Sequence, residues 1–122
     1  MKQLEHQEQV ALITWAELNE KKYPPLCNLF ASANGGKRNI ITAVKLKKSG
    51  VKAGVPDLFL AWPTKKYPGL FIEMKADKNK LSEHQKEWHD RLKKAGYAVA
   101  TCYSWIEARD MIIGYLGGME SF

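Results

Sequence analysis

Two apolar runs, Leu58 to Ala61 and Leu70 to Met74, constrain this chain more than any other feature, because charges stand at one end of both. Each run is apolar at consecutive positions, the pattern of a strand buried on both faces. The connector Trp62 to Gly69 holds Pro63, Pro68 and Gly69, which break regular structure and let the strands fold back as an antiparallel hairpin. Such a hairpin brings Asp57, at the start of the first strand, to the end of the second, level with Met74. Strand side chains alternate with period two, so Glu73 and Lys75 share a face and a suitable register sets Asp57 beside them. Two carboxylates and one ammonium then meet at one end of a sheet.

Carboxylates a few ångströms apart repel, and burial sharpens the repulsion, so one takes up a proton unless a positive charge lies between them. A divalent cation meets that need. Oxygen ligands suit magnesium or manganese, which keep several waters and bind through one or two carboxylates together with substrate phosphates. A cation so held generates hydroxide and neutralises charge building on phosphorus, and Lys75 is placed to orient an attacking water or to stabilise that charge. The competing reading is a strand-end salt bridge between Glu73 and Lys75 or Asp57. The Pro56-Asp57 step and the doubly apolar strands weigh against it.

Pro56-Asp57, followed on the next strand by Glu73-Met74-Lys75, resembles the Pro-Asp…Asp/Glu-x-Lys pattern of restriction-endonuclease-like nucleases. Three further stretches resemble the VRR-NUC branch of that superfamily, in its small stand-alone phage and bacterial form: Gly50-Val51-Lys52-Ala53-Gly54-Val55-Pro56-Asp57-Leu58, Asn34-Gly35-Gly36-Lys37-Arg38, and Leu81-Ser82-Glu83-His84-Gln85-Lys86-Glu87-Trp88. The resemblance covers nearly the whole chain. It implies an α/β fold with a restriction-endonuclease-like core, a central mixed four-stranded sheet flanked by helices, and a metal-dependent endonuclease acting on DNA. On the same resemblance, Asp57 and Glu73 hold Mg²⁺ or Mn²⁺, helped by the Met74 backbone carbonyl and Glu5, while Lys75 serves the attacking water and Gln85 lies near the metal. It also implies a homodimer acting on branched DNA, a four-way Holliday junction above all. The rival readings are a non-catalytic nucleic-acid-binding module and an RNase.

The charge balance points to a polyanion. Of 19 basic residues, Lys37, Arg38, Lys45, Lys47, Lys48 and Lys52 fall in a stretch with no acid, and the remaining 13 match the 13 acidic residues, so the whole net charge of +6 lies in one segment. That segment runs directly into Asp57 and would deliver a nucleic acid to the carboxylates; a solvated helix face is the plainer account of the same lysines. With 122 residues, 45% of them hydrophobic, one domain spanning 1–122 with a true core is expected. No apolar run nears the roughly 20 residues that span a bilayer, and no signal-peptide pattern opens the chain. A soluble cytoplasmic protein of a bacterial cell, of phage or prophage source, is the expectation. Cys27 and Cys102 read as buried thiols rather than a disulfide, and His6, His84 and His89 show no zinc-ligand spacing.

In chain order, residues 3–20 predict an amphipathic helix with Leu4, Ala11, Trp15 and Leu18 on one stripe and Leu12, Ile13 and Ala16 beside it. Glu5 and Gln9 extend the Leu12 and Ala16 line and Glu8 extends the Ala11 and Trp15 line, so either glutamate can look inward. Residues 26–32 predict a strand, 34–38 a glycine turn able to approach a phosphate, and Ile40 to Ser49 a helix stopped by Gly50. After the hairpin, Ser82 and Gln85 form a capping box for a helix to Ala95. Gln85 is therefore explained as a cap, yet it also shares a face with Trp88 and Leu92 and points at the sheet. A strand over Tyr97–Tyr103 and a final helix capped by Ser104 complete the order αβαββαβα, with the last strand parallel to the second of the hairpin. The apolar final helix (Ile106, Met111, Ile112, Ile113, Tyr115, Leu116) carries more apolar surface than one contact with the sheet covers.

Overall fold

A computed structural model of the chain describes residues 3–32, 40–77 and 79–117. The expected order appears, as α1 (Gln3–Leu18), β1 (Leu29–Ala31), α2 (Ile40–Lys48), β2 (Leu58–Leu60), β3 (Leu70–Met74), α3 (Glu83–Lys94), β4 (Ala98–Cys102) and α4 (Trp105–Leu116). The strands form one sheet in the order β1-β2-β3-β4. The first three run antiparallel to their neighbours and β4 runs parallel to β3, as a strand-helix-strand crossover through α3 demands. The α/β class and the mixed four-stranded sheet flanked by helices are thus those expected. Among the described residues no helix is long and apolar enough to cross a membrane.

The first strand is shorter than expected. Pro24 and Pro25 lack the amide hydrogens a strand ladder needs and have φ preset for a helical first turn, so Pro24–Asn28 winds into a 3₁₀ turn and pairing starts only at Leu29. Cys27 sits exposed on that turn, whereas Cys102 is buried; both are free thiols. In α1 the buried line is Glu5, Leu12 and Ala16, and the expected stripe ends Leu4 and Leu18 are exposed. Asn19 stops the helix by donating its side-chain amide to the Trp15 carbonyl at 2.8 Å.

One face of the sheet carries Leu58, Leu60, Leu70, Ile72, Met74, Ala98 and Ala100, which join Leu12 and Ala16 of α1 and Ala108, Ile112 and Tyr115 of α4 in the buried core. The Tyr115 hydroxyl, the polar tip of a buried ring, donates to the Trp62 carbonyl at 2.7 Å and ties α4 to the hairpin connector. On the opposite face Phe59 and Phe71 stack with centroids 4.2 Å apart, and Tyr97 meets both edge-on. At the carboxylate end, Gly54 has φ +94 and no room for a side chain: a Cβ there would stand 2.5 Å from the His84 carbonyl oxygen. The loop before β2 therefore lies directly on the backbone that opens α3.

Candidate active site

The Leu58↔Ile72 pair is the last rung of the β2–β3 ladder, and the antiparallel register carries on to Asp57 opposite Glu73. The expected partner was Met74, one residue further. Directly opposed residues point to the same face, so the two carboxyl groups meet, and the Asp57 side chain still reaches Met74: its Oδ2 accepts the Met74 N–H at 2.7 Å. A strand residue directs N–H and C=O to the same side, so the Met74 carbonyl also faces the Asp57 side. Lys75, two residues past Glu73, lies near enough to lower its pKa.

Burial is severe for this much charge. Glu73 is 2% exposed and Asp57 9%. Burial pushes Asp57 up to about 8, with the Glu73 carboxylate adding to the rise and the Met74 amide opposing it. Burial also raises Glu73, against the pull of Asp57 and Lys75. Near neutral pH Asp57 therefore keeps its proton, which relieves the repulsion between the two acids.

Helix α1 resolves its two glutamates. Glu5 is buried, accepts from the Asn79 side chain at 3.3 Å and adds negative potential at both Asp57 and Glu73. Glu8 is turned elsewhere: its Oε1 accepts the Trp105 N–H at 2.9 Å and caps the first turn of α4. One turn beyond Glu5, the Gln9 Oε1 atom is buried without a partner among the described residues.

Helix α3 supplies the other wall. Gln85 fills both of its expected parts: its Oε1 accepts the Ser82 N–H at 2.8 Å in the capping box, while its Nε2 stands 3.4 Å from Glu73 Oε2. Four residues on, His89 is buried with Nε2 3.4 Å from Glu73 Oε1. Burial and Lys93 push its pKa down, so this is a hydrogen bond of a neutral imidazole rather than an ion pair. Ligand spacing alone passes over His89; its position four residues after Gln85 is the signal, since i and i+4 share a helix face.

Asp57, Glu73 and Gln85 line a cavity of about 690 Å³ together with Leu46, Lys47, Lys52 and Val55, and Glu5, Lys75 and His89 stand outside that lining. Of the basic segment, Lys47 and Lys52 line the cavity, and Lys45 and Lys48 are exposed on α2 and outside that lining. Lys37 and Arg38, with the glycine turn before them, lie outside the described residues.

A sequence model of the VRR-NUC domain matches residues 2–105. The chain belongs to the VRR-NUC domain family. A solved structure described as a VRR_NUC domain protein is similar over 96% of this chain and 91% of its own, with 28% identity and a TM-score of 0.79. No curated protein matches the chain. The VRR-NUC domain is a nuclease-type module with DNA as its substrate, so the carboxylate pair can be considered as a hydrolytic site.

Among the described residues no three carboxylate, imidazole or thiol groups make a closed ligand set. Asp57 and Glu73 form a pair with Glu5 as an electrostatic neighbour. The donors nonetheless fit a hard divalent cation: they are oxygens, they repel one another and hold a proton in its absence. An ion that retains much of its water needs only one or two carboxylates from the protein.

Proposed function

We propose that this chain is a Mg²⁺- or Mn²⁺-dependent endonuclease that hydrolyses phosphodiester bonds in structured DNA, acting as a homodimer on four-way junctions. The observation that carries the reading is the buried Asp57–Glu73 pair, with Asp57 held protonated to about pH 8, on the floor of a cavity that Lys47 and Lys52 also line. Burying two acids against each other costs stability, and a structural role gives no return for it.

Asp57 and Glu73 would hold the cation, with the Met74 carbonyl and Glu5 completing the oxygen surroundings. A bound cation of this kind lowers the pKa of water and neutralises charge on a phosphorus centre. Lys75 orients the attacking water and offsets the same charge, Gln85 steadies Glu73, and Lys47 and Lys52 draw the phosphate backbone into the cavity, with Lys37, Arg38, Lys45 and Lys48 extending that attraction. The dimer reading draws on the half-exposed Ile106 and the part-buried Met111, Ile113 and Leu116 of α4; a two-fold pair would present two sites to two strands.

The test is a cleavage assay with and without Mg²⁺ or Mn²⁺ on single-stranded, duplex, flap and four-way DNA and on matched RNA. Paired symmetric nicks in the junction by a dimer of twice the 13.9 kDa chain mass are expected. Tight binding without product identifies a binding module instead, and RNA-only cleavage an RNase.

A further inference from the structure

Glu73 is the last residue but one of β3, past the final rung with β2 but still paired with Thr101 of β4, and these backbone pairings leave open where its carboxyl group points. Two α3 side chains do. Gln85 Nε2 lies 3.4 Å from Oε2 and His89 Nε2 lies 3.4 Å from Oε1, giving each oxygen its own donor from the same helix face. Neither donor is loose. The Gln85 amide is oriented by the Ser82 N–H on its oxygen at 2.8 Å, and His89 is 6% exposed. A Glu73 that holds a cation is ionised and only accepts hydrogen bonds, so in that state the ring nitrogen facing it carries the proton.

We propose that His89 is a positioning residue, which with Gln85 clamps both Glu73 oxygens from α3 and leaves their remaining lone pairs turned toward Asp57 and the cation. The inference rests on the nuclease reading above. Each oxygen of an ionised carboxylate has about two lone-pair sites. One per oxygen goes to α3, and the others face the pair. The clamp fixes the rotation of the carboxylate plane, which otherwise is free about the terminal side-chain bond. His89 touches neither substrate nor solvent in this role and acts only through Glu73. Hydrogen-bond partners that orient a metal-ligating group in this way are typically worth about 10–100-fold in metal affinity or activity.

The test uses the full chain and Mn²⁺ alone as the probe, titrated by calorimetry at pH 8, beside thermal melts of the metal-free protein. His89→Phe keeps an aromatic ring in the space and removes the donor; His89→Met is a second donor-free variant with a flexible fit. His89→Gln restores an N–H donor the same number of bonds from the backbone as the imidazole Nε2. The expected result is that folded donor-free variants bind Mn²⁺ at least about tenfold more weakly, that His89→Gln binds close to wild type, and that kcat on DNA falls while KM for DNA holds. A folded donor-free variant with wild-type Mn²⁺ affinity and kcat overturns the clamp while the nuclease reading stands. A wild-type chain that binds no Mn²⁺ and cleaves nothing overturns both.

Discussion

On one face of the sheet, Leu58, Leu60, Leu70, Ile72 and Met74 are fully covered by α1 and α4; on the other, the alternate residues of the same strands run Phe59, Phe71, Glu73 and Lys75 under the α3 side. The two faces are interleaved residue by residue, yet they answer to different physics. The first gains free energy from every buried methylene. The second is stacked aromatic along most of its length and then turns to acids at its end, where burial costs free energy unless something positive arrives. A substitution can therefore be expected to change sign on moving a single residue along β3.

The largest effect should come at Asp57. Asp57→Asn is expected to lower cleavage by about 10³-fold or more while raising the stability of the metal-free protein at pH 8 by about 1–2 kcal/mol. Cleavage rates and thermal melts on the same preparation measure both, and a less stable Asp57→Asn chain would erase the contrast between the faces. One residue from Glu73, Ile72→Ala should do the reverse, costing about 2–5 kcal/mol with kcat retained wherever the protein remains folded.

A pH series sharpens the same contrast. The folded-state pKa of Asp57, about 8, lies above its ordinary value of 3.8, so between those values the folded chain binds the extra proton. The metal-free protein should lose stability as pH rises from about 4 to about 8, and Asp57→Asn should flatten that decline. Mn²⁺ must displace the proton, so its affinity should climb over the same window. An affinity flat with pH would place the cation away from Asp57.

The two α1 glutamates give a smaller effect. Glu5→Gln should raise the Mn²⁺ concentration needed for half-maximal rate, whereas Glu8→Ala should leave that requirement alone and cost about 1 kcal/mol through the lost α4 cap. Smallest of all, neutralising Lys47 and Lys52 should lower the salt slope of log K by about one per phosphate contact, and neutralising the exterior Lys45 and Lys48 by less. Equal slopes would detach the cavity from the path of the DNA.

Most of this architecture was legible because consecutive apolar runs, proline and glycine breaks and the Ser82 cap act locally. The carboxylates at Asp57 and Glu73 were legible for the same reason: charge at the end of a buried run has few local explanations. What escaped was set by tertiary packing. The hairpin register slipped by one because an eight-residue connector fixes no single pairing. Pro24 and Pro25 turned an expected strand start into a 3₁₀ turn. The choice between Glu5 and Glu8 had no local answer, since it depends on where α4 begins. His89 was passed over because its partner is a carboxylate on another element, and spacing rules register only ligands in groups.

Gly54 fixes what can vary here. With φ +94 and the His84 backbone 2.5 Å from where a Cβ would stand, both the torsion and the space exclude even alanine. A saturation scan of the chain should show a column with one tolerated letter at a residue that bears no functional group. That column would mark the site as clearly as the acids do, because drift or design can recast the surrounding lysines but cannot wedge the loop away from α3.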